Sequence, residues 1–358
     1  MTGRRRSRAR IAPAALTVAA LLTLTSCGLF DDGGGGDDDG GGGASEGPLN
    51  VVSSFYPMTF LVERIGGEHV SVTTLTGPGV EPHDLDISPQ QTAEVADAAL
   101  VVYLKGLQPA VDEAIEQSAT GQIAEASAFT PLEIHEPQDE GAHEEDGHAH
   151  EDEGAHEDED AHGDEEAHEH EDDHDHSHEH DHDIDGRDPH VWLDPVKYAQ
   201  VAQGVGAALA NSDPDNMADY DRATQELVTE LHALDEEFSE GLADVETDTF
   251  ITTHEAFGYL AARYGLHEES ITGLDPESEP SAARMRELRE IAEHDGVTTV
   301  FFETLVSDTT AQTLADDLGL RTDVLDPVEG ITDDSPGADY LEVMRHNLAA
   351  LREALGAA

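Results

Sequence analysis

Apolar and polar positions along this chain keep one rhythm through two long stretches, with a break between them. From Pro48, "LNVVSSFYP" is a β-branched run ended by Pro57 and predicts a strand; "MTFLVERIGG" predicts a helix stopped by Gly66 and Gly67. "VSVTTLTGP" predicts a second strand. Ser88 and Pro89 stand at the N-cap and first position of a helix over "PQQTAEVADA", and "ALVVYLKG" reads as a buried strand. From Asp213, apolar residues recur at three- and four-residue spacing for some thirty residues, which predicts one long helix, a strut between two lobes. The alternation then resumes. "DTFITTH", "VTTVFFE" and "TDVLDP" predict strands, while "PSAARMRELREIAEH" and "GADYLEVMRHNLAALREAL" predict helices. Strands alternating with helices imply parallel sheets covered on both faces, so the expected class is α/β.

Between Pro137 and Gly186 this pattern vanishes. The segment holds 12 His and more than 20 Asp or Glu, and no aromatic residue. It cannot bury enough apolar surface to offset the entropy of ordering it, so it reads as an insertion in the folded unit. Without it and residues 1–47, about 260 residues remain, enough for two modest α/β lobes.

Charge narrows the functions available. The chain has 358 residues, 80 acidic against 17 basic, and a formal charge of −63. Phosphate contact requires clustered Lys and Arg, so nucleic acids are excluded as partners and nucleotides disfavoured, whereas cations are drawn to such a field. Five of the basic residues lie in "MTGRRRSRAR", ahead of the apolar run "IAPAALTVAALLTLT" and then "SCG". This is a charged start and an apolar stretch too short to span a bilayer comfortably, followed by a processing site. The only cysteine, Cys27 in "LTSC", completes a pattern that resembles a bacterial lipoprotein signal, in which the Cys is lipidated and becomes the mature N-terminus. The Gly/Asp-rich segment 28–47 has the composition of a tether.

Three histidines stand out because each follows strand-like sequence or sits in a Pro-bounded turn: His83 in "GPGVEPHDLDISPQ", His190 in "RDPHVWLDP" and His254 in "FITTHEAFGYLAARYGL". Ligands gather where strand C-termini converge, and three imidazoles with an oxygen donor suit zinc. "HEAFG" is not a zinc-protease motif, because position 258 is Gly where a second His is needed. Trp192, Phe257 and Tyr259 read as core or cleft wall. Asp194 reads either as a partner for a ligating ring or as a turn residue.

"EPHDLDISPQ", "DPHVWLDP", "HEAFGYLAARYGL" and "LDPVEGIT" together resemble the ordered motifs of the metal-binding receptors of bacterial ABC importers, of the zinc type, across nearly everything from Pro48 onward. The resemblance implies two lobes, each with a mostly parallel sheet flanked by helices, joined by one long helix and with a single metal ion in the cleft. It places the first lobe at 48–212 with the insertion at 137–186, the bridging helix at 213–245 and the second lobe at 246–358. His83 and His190 would come from the first lobe and His254 from the second. Glu329 is the favoured fourth ligand, ahead of Glu303, Glu81 and water. Manganese-type relatives carry a carboxylate where His254 stands, so the imidazole favours zinc. The implied function is a membrane-tethered, monomeric, extracytoplasmic receptor, without catalysis, that delivers zinc to an ABC permease and its ATPase. A surface zinc buffer or adhesin without transport, and a zinc hydrolase, are the alternatives. The insertion, including His168, His170, His174, His176, His178, His180 and His182, reads as a collector of further, weakly held zinc ions.

Overall fold

The computed structural model describes residues 47–135, 186–305 and 307–357. Two four-stranded parallel sheets form its frame. In the first, β1 (Leu49–Ser53) lies between β2 (Val70–Thr74) and β3 (Leu100–Tyr103), and β4 (Gln122–Glu125) pairs with β3 at the far edge. Leu49 faces Val70, Val51 faces Leu100, and Leu100 faces Gln122. The second sheet repeats this order, with β5 (Thr249–Thr252) between β6 (His267–Ser270) and β7 (Thr299–Phe302), and β8 (Arg321–Val324) beyond β7. In both sheets the chain moves outward from the first strand to one side and then to the other. The loops at the strand C-termini therefore part beside β1 and β5, the crevice where α/β folds hold ligands.

Around the first sheet run α1 (Tyr56–Gly66), α2 (Pro89–Asp97), α3 (Pro109–Ser118) and α4 (Pro195–Ser212). Ser88 caps α2 in a reciprocal box with Gln91, with Pro89 in the first turn, and Asp194 caps α4 through the N–H groups of Val196 and Lys197. The long helix is α5 (Met217–Gly241), shorter at both ends than the 213–245 expected. Pro214–Asn216 form a separate 3-10 turn ahead of it. Its buried residues Tyr220, Thr224, Leu227, Leu231, Leu234 and Phe238 recur every three or four positions, one stripe that packs on α1 and α4 and on the closing helix α9 (Tyr340–Ala354). Side chains from α5 belong to the same apolar cluster as Val51 of β1 and Phe250 of β5. The helix thus shares one core with both sheets. The remaining helices, α6 (Gly258–Tyr264), α7 (Ala282–Asp295) and α8 (Thr309–Leu318), flank the second sheet.

Among the described residues no helix is long and apolar enough to cross a membrane. Cys27 and the seven insertion histidines named above lie outside the described residues.

Candidate metal centre

Four segments carry the candidate side chains into one place. His83 sits in the loop after β2, where Glu81 Oε1 accepts the His83 backbone N–H at 2.8 Å. His190 follows Pro189 and opens a 3-10 turn over Val191–Leu193. His254 lies two residues past β5, its backbone oxygen accepting from Thr252 Oγ1 at 2.9 Å. Glu329 follows β8 in "DPVEG". There Val328 takes φ 61°, the left-handed region that a β-branched residue rarely enters, and it is the one non-glycine among the described residues to do so. Asp326 Oδ1 accepts the Val328 N–H at 2.8 Å, and Asn347 clasps both polar groups of the Asp326 backbone at 3.0 and 2.7 Å. The turn is held in its strained form, and Glu329 points inward.

The donor atoms converge closely. His83 Nε2 and His190 Nε2 lie 3.2 and 3.1 Å from Glu329 Oε1, His254 Nε2 lies 3.3 Å from His190 Nε2, and His254 Nε2 lies 3.8 Å from Glu329 Oε1. One ligand atom from each residue falls within 4.8 Å of all the others. Bonds of about 2.05 Å at tetrahedral angles put donors ~3.3 Å apart, so these separations are those of a four-coordinate zinc shell. All four residues are buried; His83, 7% exposed, is the one nearest solvent.

Carboxylates behind the rings orient them. Asp188 Oδ1 accepts His190 Nδ1–H at 2.7 Å and also the His190 backbone N–H at 2.8 Å. Glu303, just past β7, accepts His254 Nδ1–H at 2.6 Å and the hydroxyl of Thr253. A carboxylate can only accept, so both rings carry a proton on Nδ1 and turn Nε2 toward the centre, where its lone pair serves a metal once any Nε2 proton has left. Glu303 thereby meets the outer nitrogen of His254, and Glu329 is the carboxylate in the ring of donors. Glu81 contacts the His83 backbone; among the described residues its Oε2 is buried with no hydrogen-bond partner, as is Glu329 Oε2.

The electrostatics favour positive charge here. Burial opposes ionisation of His190, but Asp188 and Glu329 outweigh it and push the ring up to about 10. Burial likewise opposes His254, and Glu303 raises it. His83 is lowered, chiefly by burial. Glu329 is held well below the usual carboxylate range despite its burial, because His83 and His190 sit against it. Glu81 is pushed up to about 8 by burial and by Glu329.

Asp188 is the functional residue that sequence reasoning passed over. Asp194, weighed there as a ring partner or a turn residue, takes the turn role as cap of α4. The signal for Asp188 was its place two residues before His190, where one carboxylate reaches both the backbone and the ring. Trp192, Phe257 and Tyr259 are buried. Trp192 donates Nε1–H to Pro327 O at 2.7 Å and accepts at its own carbonyl from Tyr340 OH at 2.6 Å, pinning the His190 turn to the Glu329 turn.

The family model described as zinc-uptake complex component A, periplasmic, matches residues 51–354. The chain belongs to this family. The zinc-binding lipoprotein AdcA of Streptococcus pneumoniae is 32% identical over 315 residues, which covers 86% of this chain and 56% of AdcA, so the chain spans little more than half the length of that relative. The high-affinity zinc uptake system protein ZnuA of Bacillus subtilis is 33% identical over 310 residues, covering 86% of this chain and 88% of the relative. Among solved structures, the Zn(II)-bound ZnuA-like domain of Streptococcus pneumoniae AdcA is similar with a TM-score of 0.64 at 28% identity, covering 86% of this chain and 99% of that one. Membership in the zinc-uptake component A family accords with the four motifs in "EPHDLDISPQ", "DPHVWLDP", "HEAFGYLAARYGL" and "LDPVEGIT".

Proposed function

We propose that this protein is the extracytoplasmic zinc receptor of an ABC importer, binding one zinc ion through His83, His190, His254 and Glu329 as cargo for a permease and its ATPase. The observation that carries the reading is the convergence of three Nε2 atoms and one carboxylate oxygen at tetrahedral spacing. Zinc supplies two positive charges where the buried donors and the carboxylates behind them favour them, and it displaces protons from the imidazoles as it binds. A shell closed by four protein donors leaves no position for a reacting substrate, which separates a carrier from a zinc hydrolase. Residues 48–212 and 246–358 serve as two lobes with 213–245 as the bridge, and parting the lobes would separate His83 and His190 from His254 and Glu329 and so release the ion. Lipidated Cys27 would hold the monomer at the membrane, with the insertion gathering zinc weakly nearby.

The test is a zinc titration of the full chain under competition from a chelator that strips weakly held ions. His83→Ala, His190→Ala, His254→Ala and Glu329→Ala should each weaken the single tight site by at least about a hundredfold. If all four variants keep tight one-to-one binding, the site is misassigned. Restoration of growth at scarce zinc in a strain lacking its own receptor separates transport from a surface buffer or adhesin. Deleting residues 138–185 should slow that growth; an unchanged growth curve would remove the collector role.

A further inference from the structure

Outside the four donors, His135 is tied to them through Asp188. Residues 131–135 run beside 186–190, and the Asp188 backbone N–H donates to Glu133 O at 2.8 Å. While Asp188 Oδ1 holds His190, Asp188 Oδ2 accepts from His135 Nδ1–H at 2.9 Å. Among the described residues His135 Nε2 is buried without a hydrogen-bond partner, with Glu133 Oε2 3.8 Å away. Asp188 is therefore the polar anchor of this ring. The ring stands edge-on to Tyr259 at 4.4 Å between centroids, and the Tyr259 hydroxyl donates to Asp188 O at 3.0 Å while accepting the Glu133 N–H at 2.7 Å. The chain also makes room for the contact. A Cβ on Gly258 would lie 2.8 Å from His135 Cγ and Nδ1 and 2.9 Å from Asp188 Oδ2.

We propose that His135 is a positioning residue for metal capture: by occupying the second oxygen of Asp188 it fixes the carboxylate that orients His190. Without that donor, Asp188 Oδ2 is free to turn toward water. The Oδ1 contact that sets the tautomer and tilt of His190 loosens with it. Partners of this kind are worth 10–100-fold in metal affinity when they touch the ligand directly. His135 stands one residue further out, so the low end of that range applies. The inference rests on the zinc-receptor reading, in which His190 is a ligand.

The experiment measures zinc affinity of the full chain by chelator competition, with nitrogen-15 histidine NMR of the His190 Nδ1–H signal. His135→Ala should bind zinc about tenfold more weakly and lose the sharp Nδ1–H resonance. His135→Asn places an amide N–H where Nδ1–H stood and should stay within about threefold of the parent with the resonance kept. Parent-like affinity in His135→Ala overturns the inference while leaving the receptor intact. Equal losses in both variants also overturn it, assigning the effect to ring packing on Tyr259. A parent chain without a tight zinc site overturns the receptor reading and this inference together.

Discussion

Asp112 shows how a single buried carboxyl sets a pH dependence. Its Oδ2 accepts the Gly106 N–H at 2.8 Å, and its Oδ1 is buried without a partner among the described residues. Burial pushes it up to about 6, above the value near 3.9 that an Asp has in an unfolded chain. The native state thus binds the proton more tightly than the unfolded state, so the cost of keeping Asp112 ionised is full above about pH 6 and fades toward about pH 4. Asp112→Asn keeps an oxygen for Gly106 and removes that cost. Its melting temperature relative to the parent should be higher at about pH 7.5 than at about pH 4.5; a constant gap would show that Asp112 ionises freely in the fold. At this scale the sequence was uneven. His83, His190 and His254 were readable because proline or a strand end fixes each turn. The division of labour among Asp188, Asp194, Glu303 and Glu329 was not, since all are carboxylates near a motif and only the folded loops decide which oxygen meets which nitrogen.

At the level of elements, α5 depends on a close approach to α4. A Cβ on Gly206 would lie 2.1 Å from Thr224 Oγ1, and Thr224 is buried with its hydroxyl bonded to Tyr220 O at 2.8 Å. Valine is the better helix former by a few tenths of a kcal/mol, yet forcing its side chain between the helices costs about 1–3 kcal/mol, so the clash wins. Gly206→Val should lower unfolding free energy by that amount in urea titration, and an unchanged midpoint would mean the helices part at no cost. The legibility of the strands follows their place in the sheets, except at edge strand β2, which its β-branched "VSVTT" announced. The central strands β1, β3, β5 and β7 are mostly buried, and their apolar runs announced them. The edge strands β4, "QIAE", and β6, "HEES", meet solvent along one side and carry polar residues, so no hydrophobic pattern marked them. Edge strand β8 was legible only with a shift: "TDVLDP" was expected, and Arg321–Val324 pair with β7. Helices α3, α4, α6 and α8 went unread as well, α4 among them eighteen residues long.

Over the whole molecule the dominant physical fact is the charge of −63. A field of that sign concentrates dications around the chain and speeds their capture, and salt suppresses it as the screening length shrinks from about 30 Å at 0.01 M to about 8 Å at 0.15 M. The zinc association rate in stopped flow should therefore fall on the order of tenfold across that range. A rate indifferent to salt would mean that capture is governed by the cleft alone. The α/β class, strands alternating with helices around one long helix, was legible from the rhythm of apolar positions. The shared core was not, because the residues of α5 stand far along the chain from Val51 of β1, and the apolar pattern of a helix does not say which sheet its stripe will meet.

Trp192 is the only tryptophan in the chain, its indole 5.2 Å from the His190 ring and bonded to the carbonyl two residues before Glu329. All the indole emission therefore originates at one point, wedged between donors from opposite halves. Zinc arriving at the centre should change that fluorescence without any label, saturating at one equivalent, and the change should disappear in His190→Ala. The protein carries its own optical gauge of whether this site is full.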